Sequence, residues 1–235
     1  MKKGKLYLIP STMGDSPVNL NVPQTNKNLI LKLKYFIVEN VRTARRFMKK
    51  VDKTVDIDSI TFFVLDKRIK TSQIPAFLKP INSGHSIGVL SEAGCPGVAD
   101  PGAVIVKLAH KNNIKVVPLV GPSSILLSLM ASGLNGQNFA FNGYLPVKSG
   151  EAVAAIKELE QRSIKLHQTQ LFIETPFRNT KILRDIVSAC KPSTKLCIAC
   201  DITLESEYIV TKTIEQWEGK IPEINKRPAI FLIQG

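Results

Sequence analysis

The stretch Ser91-Glu-Ala-Gly-Cys-Pro-Gly-Val-Ala-Asp-Pro-Gly102 places three glycines and two prolines within twelve residues. It follows an apolar run and leads into a helical pattern. Such a loop is stiff, and its backbone can approach a ligand closely. At the carboxyl end of a parallel strand it stands where open α/β sheets bind their ligands. A second segment, Val116-Val-Pro-Leu-Val-Gly-Pro-Ser-Ser-Ile125, ends a strand, turns at Gly121-Pro122, and offers Ser123 or Ser124 as a helix cap. Free N–H groups and hydroxyls at such a start suit a carboxylate or a ribose.

Charge marks a third segment. The 235 residues contain 32 Lys plus Arg and 19 Asp plus Glu, a formal +13. Residues 1–120 hold 19 basic and 8 acidic residues, and residues 121–235 hold 13 and 11, so the excess lies in the first half. Within Lys27–Lys50 there are eight basic residues and one acidic residue. Arg42, Arg45, Arg46, Lys49 and Lys50 fall on the side of a helix opposite Val41, Ala44 and Met48. That pattern suits binding to phosphates, which sets affinity and salt dependence rather than sequence choice. It also suits a merely solvated helix face.

Several chemistries are excluded. There is no G-x-x-x-x-G-K-[ST], no G-x-G-x-x-G after the first strand and no G-x-S-x-G elbow. Cys197 and Cys200 form a C-x-x-C inside a strand-like run, and His85, His110 and His167 are scattered, so no metal site is expected. No apolar run approaches the ~20 residues of a membrane span. The start, Met1-Lys2-Lys3-Gly4-Lys5, looks like the basic end of a signal peptide. The apolar stretch behind it is only Leu6–Ile9 before Pro10, too short for the rest. The expectation is a cytoplasmic protein with reduced cysteines.

These segments need a scaffold to position them. Leu6–Pro10, Lys34–Glu39, Ile60–Leu65, Ser86–Leu90 and Lys115–Val120 read as strands. They are continuously apolar, as in a parallel sheet covered on both faces. Between them lie helices, with Asn26 a candidate cap for Leu29–Leu33, Asn40 for Val41–Val51, and Ala103–Asn113 a third. The second half offers strands at Asn138–Tyr144, Thr169–Glu174, Lys195–Ile202, Glu207–Lys212 and Pro228–Gln234. Its helices are Ser123–Ser132, Glu151–His167 and Phe177–Cys190. The short link before Glu207–Lys212 predicts a hairpin, hence a mixed sheet. The fold class is α/β: an N-terminal domain over 1–120 with a mostly parallel sheet, and a C-terminal domain over 121–235 with a mixed one. A cleft between two such domains is a usual place for a small ligand.

Five motifs occur in one order: Leu6-Tyr-Leu-Ile-Pro-Ser-Thr-Met-Gly14; the loop Ser91–Gly102; Gly121-Pro-Ser-Ser124 with Ala131-Ser-Gly-Leu134; Phe141-Asn-Gly-Tyr-Leu-Pro146; and Glu174-Thr-Pro-Phe-Arg178. Together they resemble the tetrapyrrole methylase family of S-adenosylmethionine-dependent methyltransferases. Within it they look most like the branch that methylates the ribose 2′-OH of a small-subunit ribosomal RNA cytidine. The resemblance spans nearly the whole chain. It implies a homodimer, a ribosomal RNA or small-subunit partner, and S-adenosyl-L-methionine in an interdomain cleft. Carried over, the cofactor would touch Pro10, Ser91, Glu92, Ala93, Gly94, Asp100 and Ser123 or Ser124. From the second domain it would touch Gly143, Tyr144, Leu145 and Ala229. The RNA branch usually shows Ala-Glu-Asp-Thr-Arg where this chain has Val38-Glu-Asn-Val-Arg42. It usually shows Asp where Glu92 stands and Thr where Cys95 stands, and Val51–Lys79 matches little. These departures bear on the substrate more than on the cofactor.

Methyl transfer to a hydroxyl needs alignment and a base for the departing proton. Glu39 is the first candidate and Glu174 the second; each could instead cap a helix or pair with an arginine. Arg42 would then hold a phosphate. Two other functions stay open: methylation of a tetrapyrrole-like small molecule, and a catalytically silent RNA-binding protein of the same fold.

Overall fold

The structure is a computed structural model that describes residues 3–66 and 68–235, so the basic start at Met1 and Lys2 lies outside the described residues. The chain divides into two compact units, Met1–Ser123 and Ser124–Gly235.

In the first unit the order is β1 (Leu6–Ile9), α1 (Val18–Asn21), α2 (Gln24–Ile30), β2 (Tyr35–Val38), α3 (Val41–Val51), β3 (Thr61–Val64), α4 (Lys79–Asn82), β4 (Ile87–Leu90), α5 (Ala103–Lys111) and β5 (Val116–Pro118). The strands form one parallel sheet in the order β3-β2-β4-β1-β5. Continuous apolar strands are explained by burial on both faces. Leu6, Ile37, Ile87 and Val89 pack on one side with Ile105 and Ala109 of α5. Ile9, Phe36, Val38 and Leu90 pack on the other with Ala44, Phe47 and Met48 of α3. Each buried Ile or Phe side chain contributes ~1.5–3 kcal/mol.

The helix α3 begins where the sequence predicts, because the Asn40 side chain accepts from the Arg42 N–H at 2.8 Å. Asn26 behaves differently. The helix α2 starts earlier, after Pro23, and Asn26 lies inside it. Its Nδ2 instead donates to the Val120 carbonyl at 2.7 Å, tying the helix to the chain leaving β5. Three short elements carry no clear sequence signal: α1, α4 and a 3₁₀ segment at Thr71–Leu78 that contains Pro75.

The second unit contains α6 (Ser124–Ser132), β6 (Phe139–Tyr144), α7 (Ser149–Leu166), β7 (Thr169–Ile173), α8 (Asn179–Ala189), β8 (Lys195–Cys200), β9 (Tyr208–Thr213), α9 (Ile214–Trp217) and β10 (Ala229–Gln234). Its sheet has the order β6-β7-β10-β8-β9. Only β6 and β7 run parallel, and β8–β9 is the expected hairpin. The predicted helix from Phe177 begins at Asn179, because Pro176–Arg178 forms a 3₁₀ turn first. Cys197 and Cys200 are three apart on β8, so their side chains point to opposite faces and cannot share a metal ion. Burial pushes the Cys200 thiol up to about 11 and the Cys190 thiol up to about 12. Among the described residues no metal-binding cluster occurs, and no helix is long and apolar enough to cross a membrane.

Candidate functional site

The carboxyl ends of the parallel strands bring four segments together. From β1 the chain passes Pro10 and Ser11, and from β2 it reaches Glu39 and Asn40. β4 enters the loop at Ser91, and β5 leads to Gly121 and Pro122. The crossovers leaving the neighbouring strands β1 and β4 run in opposite directions, to β2 and β5. Ligands of open α/β sheets bind at such a switch point.

The loop is held by its own side chains. The Ser91 hydroxyl donates to the Gly94 carbonyl at 2.8 Å, and the Ser11 hydroxyl donates to the Ser91 carbonyl at 3.0 Å. The Ser11 N–H donates to the Gly94 carbonyl at 3.0 Å, stitching the loop to the end of β1. The Cys95 thiol donates to the Pro122 carbonyl at 3.3 Å. Asp100 Oδ1 accepts from the Gly97 and Gly102 N–H groups at 2.9 and 2.6 Å, closing the second half of the loop. Gly94 has φ +69°, a conformation that favours glycine. At Gly121 a Cβ would lie 2.2 Å from Pro10 Cβ, so only glycine allows the two segments to touch.

Glu39 stands at the end of β2, half-buried. Desolvation pushes its carboxyl up to about 7, reinforced by the neighbouring Asp100 carboxylate and by the charge of Glu92; the Glu92 N–H opposes the shift. Glu92 itself accepts from the Thr43 hydroxyl at 2.6 Å, so the loop also reaches the first turn of α3.

A cavity of about 330 Å³ is lined by residues of α3 and of the segments at the ends of β1, β2 and β4; Glu92 is among them, and Glu39 and Asp100 are not. One wall is apolar: Val38, Ala44, Phe47 and Leu90. Ser11, Thr12, Thr43 and Ser91 line it, their hydroxyls donating to protein oxygens; Glu92 adds a carboxylate, and Arg46 and Lys50 bring positive charge. Lys50 is ion-paired with Asp15, another lining residue. From sequence, Ser91 and Glu92 are expected at a cofactor and Arg46 and Lys50 at RNA. The structure brings these four to one cavity. Sequence reasoning misses Thr12, Thr43 and Asp15; the run Ser11-Thr-Met-Gly-Asp15 directly after β1 is the only signal for two of them, and Thr43 has none.

The basic face of α3 is as expected, with Arg42, Arg45, Arg46, Lys49 and Lys50 all exposed. Their present partners differ. Arg45 lies over the Phe62 ring at 5.8 Å. Lys49 Nζ donates to the carbonyls of Lys53 and Val55 at 3.0 and 2.7 Å. Among the described residues, Arg42, Arg45 and Arg46 form no ion pair.

In the second unit the Glu174 side chain is 1% exposed. Its Oε2 lies 3.1 Å from Arg178 Nη2, while Oε1 accepts from the Thr175 N–H at 2.6 Å. Oε2 has ion-pair distance but no properly aligned hydrogen bond. Arg178 also donates to the carbonyls of Pro146 and Val147. Glu174 is thus a buried, arginine-paired carboxylate that orders the segment after β6. Gly143 and Tyr144 lie at an irregularity of β6, where Phe141 pairs with Leu171 and Tyr144 with Ile173. Gly143 has φ +65° and open space beside it, and Tyr144 is exposed. Leu145 and Ala229 are buried in the core of this unit. Ser124 starts α6, and Ser123 directly precedes it.

Two parallel or mixed α/β units with a Gly-rich loop at a strand switch point define the class. The methyltransferase CobJ superposes with a TM-score of 0.63 at 14% identity, covering 99% of this chain and 94% of that one. Uroporphyrin-III-C-methyltransferase from Thermus thermophilus superposes with 0.57 at 16% identity, covering 100% and 93%. The fold is therefore that of the tetrapyrrole methylases. In sequence, the chain is similar to ribosomal RNA small subunit methyltransferase I of Buchnera aphidicola subsp. Schizaphis graminum, 29% identical over 88% of this chain and 69% of that protein. It is 26% identical to the protein of the same name from Vibrio cholerae, over 98% and 77%. No family model matches the chain. The resemblance first carried by five short motifs thus holds along the chain in sequence and in fold.

Proposed function

We propose that the protein is an S-adenosyl-L-methionine-dependent methyltransferase acting on a ribose 2′-OH of ribosomal RNA, as a cytoplasmic homodimer. The observation that carries this reading is similarity over 88% and 98% of the chain to proteins named ribosomal RNA small subunit methyltransferase I. The exposed basic face of α3 beside the strand ends supports a polyanionic acceptor.

The residues present fit the cofactor. It carries a carboxylate, a neutral base and a cationic sulfonium. Backbone at Pro10 and the Ser91–Gly94 turn can meet the base and ribose, and Ser123 or Ser124 can meet the carboxylate. Glu39, Glu92 and Asp100 form a group of carboxylates favourable to a nearby positive charge. Of the second unit, Gly143, Tyr144, Leu145 and Ala229 keep the cofactor role that the resemblance assigns. When bound, the cofactor supplies an electrophilic methyl group on a good leaving group. The chain's task is then positioning and proton removal. Glu39, whose carboxyl is raised to about 7, is a base matched to neutral pH. Glu174, held by Arg178, is assigned a structural role.

Calorimetry with S-adenosylmethionine, followed by transfer of a labelled methyl group, tests the proposal. Binding plus label in small-subunit RNA supports it. Absence of binding would leave a silent RNA-binding protein, and label in a tetrapyrrole precursor alone would make it a small-molecule enzyme.

A further inference from the structure

The cavity lined by α3 joins Ser91 and Glu92, assigned above to the cofactor, to the cations Arg46 and Lys50, which the cofactor reading does not use. A slot with apolar residues, hydroxyl side chains and two cations, the Glu92 carboxylate being turned to the Thr43 hydroxyl and that of Asp15 to Lys50, matches the parts of a nucleotide: a flat base, a sugar and a phosphate. At about 330 Å³ it lies at the small end of ligand pockets, which run ~300–1,000 Å³. One nucleotide suits that size.

The cations are not equivalent. Arg46 forms no ion pair among the described residues, whereas Lys50 is held by Asp15, whose side chain is 90% exposed. The bond with Lys50 keeps the Asp15 carboxyl below its usual range. Exposed ion pairs are weak, so a phosphate that engages Lys50 and Arg46 together can displace a single exposed carboxylate.

We infer that this cavity is a nucleotide subsite in which Arg46 and Lys50 take the phosphate, and that Asp15 occupies the phosphate's place on Lys50 until the nucleotide enters. The subsite rests on the reading that the acceptor is RNA, and it deepens that reading by naming where one nucleotide is held. Asp15 then acts as a competing anion built into the chain, lowering affinity for any ligand whose phosphate must take Lys50 from it.

The test is titration of the full chain with the four nucleoside 5′-monophosphates, the matching nucleosides and inorganic phosphate, without cofactor. At least one monophosphate should bind more tightly than both its nucleoside and inorganic phosphate. Asp15→Asn should tighten that binding by about twofold to fivefold, the size of an exposed ion-pair effect. Arg46→Met and Lys50→Met should each weaken it on the order of tenfold, as expected for a charge-assisted hydrogen bond. Weaker or unchanged binding in Asp15→Asn would overturn the displacement. Inorganic phosphate binding as tightly as every monophosphate would overturn the nucleotide site, as would indifference to both cation variants. Because no methyl transfer is measured, these results are independent of the activity assay. Loss of activity with intact nucleotide response would sink the enzyme reading alone.

Discussion

The carboxyl of Glu39, at the end of β2, is pushed up to about 7 by burial and by the neighbouring carboxylate of Asp100, which is itself held by the Gly97 and Gly102 N–H groups. Burial, first, and the nearby negative charge of Asp100, second, both favour the protonated form of Glu39. The loop thus sets the proton affinity of a group on a different strand.

If Glu39 is the base, methyl transfer rises with pH and levels off above about 7, as Glu39 loses its proton. Asp100→Asn keeps an oxygen for the two glycine N–H groups and removes the negative charge. Its profile should therefore shift to lower pH. Glu39→Gln should lower kcat by ~10²–10⁴-fold with little effect on cofactor affinity. A pH–rate profile of the three proteins checks this.

The same group links stability to pH. A carboxyl raised in the folded state favours folding most below its unfolded value of about 4.5, and that contribution is lost as pH rises through about 7. Glu39→Gln should therefore melt close to wild type at pH 5 and above it at pH 8. Glu39 is only partly buried, so screening by water limits the gain to about 2–4 °C. Thermal melts at the two pH values measure it.

Gly121→Ala should destabilise the first unit by ~1–3 kcal/mol, since its Cβ would meet the Pro10 ring at 2.2 and 2.6 Å and the ring has little freedom to move. Denaturant unfolding gives the magnitude, and S-adenosylmethionine affinity should fall with it, since Pro10 is assigned to the cofactor. An Ala variant of full stability would contradict the packing.

RNA binding should depend on salt through α3. Replacing Arg42 or Arg45 by Gln should reduce the slope of log K against log salt by ~0.7–0.9 for each phosphate that is no longer neutralised. Lys49→Gln should change it less, because Lys49 already serves the carbonyls of Lys53 and Val55. Filter binding across a salt series distinguishes the residues.

The strands and most helix positions are legible because burial on both faces of a parallel sheet leaves continuous apolar runs such as Tyr35–Val38 and Ile87–Leu90. The cap at Asn40 is equally local. Asn26 is not legible, because its partner, the Val120 carbonyl, is 94 residues away. The cavity is hidden for the same reason: Thr43 meets Glu92 across 49 residues, and Asp15 meets Lys50 across 35. Residue type announces the basic helix. Only the folded chain shows that Lys49 and Lys50 are already partnered while Arg46 forms no ion pair among the described residues.

The most direct measurement is nucleoside analysis of small-subunit ribosomal RNA after incubation with the protein and methyl-labelled S-adenosylmethionine. The account predicts label in a 2′-O-methylated nucleoside, lost with Glu39→Gln and retained with Glu92→Gln at reduced yield. Label on a base, or none in RNA while a tetrapyrrole precursor is labelled, would contradict it.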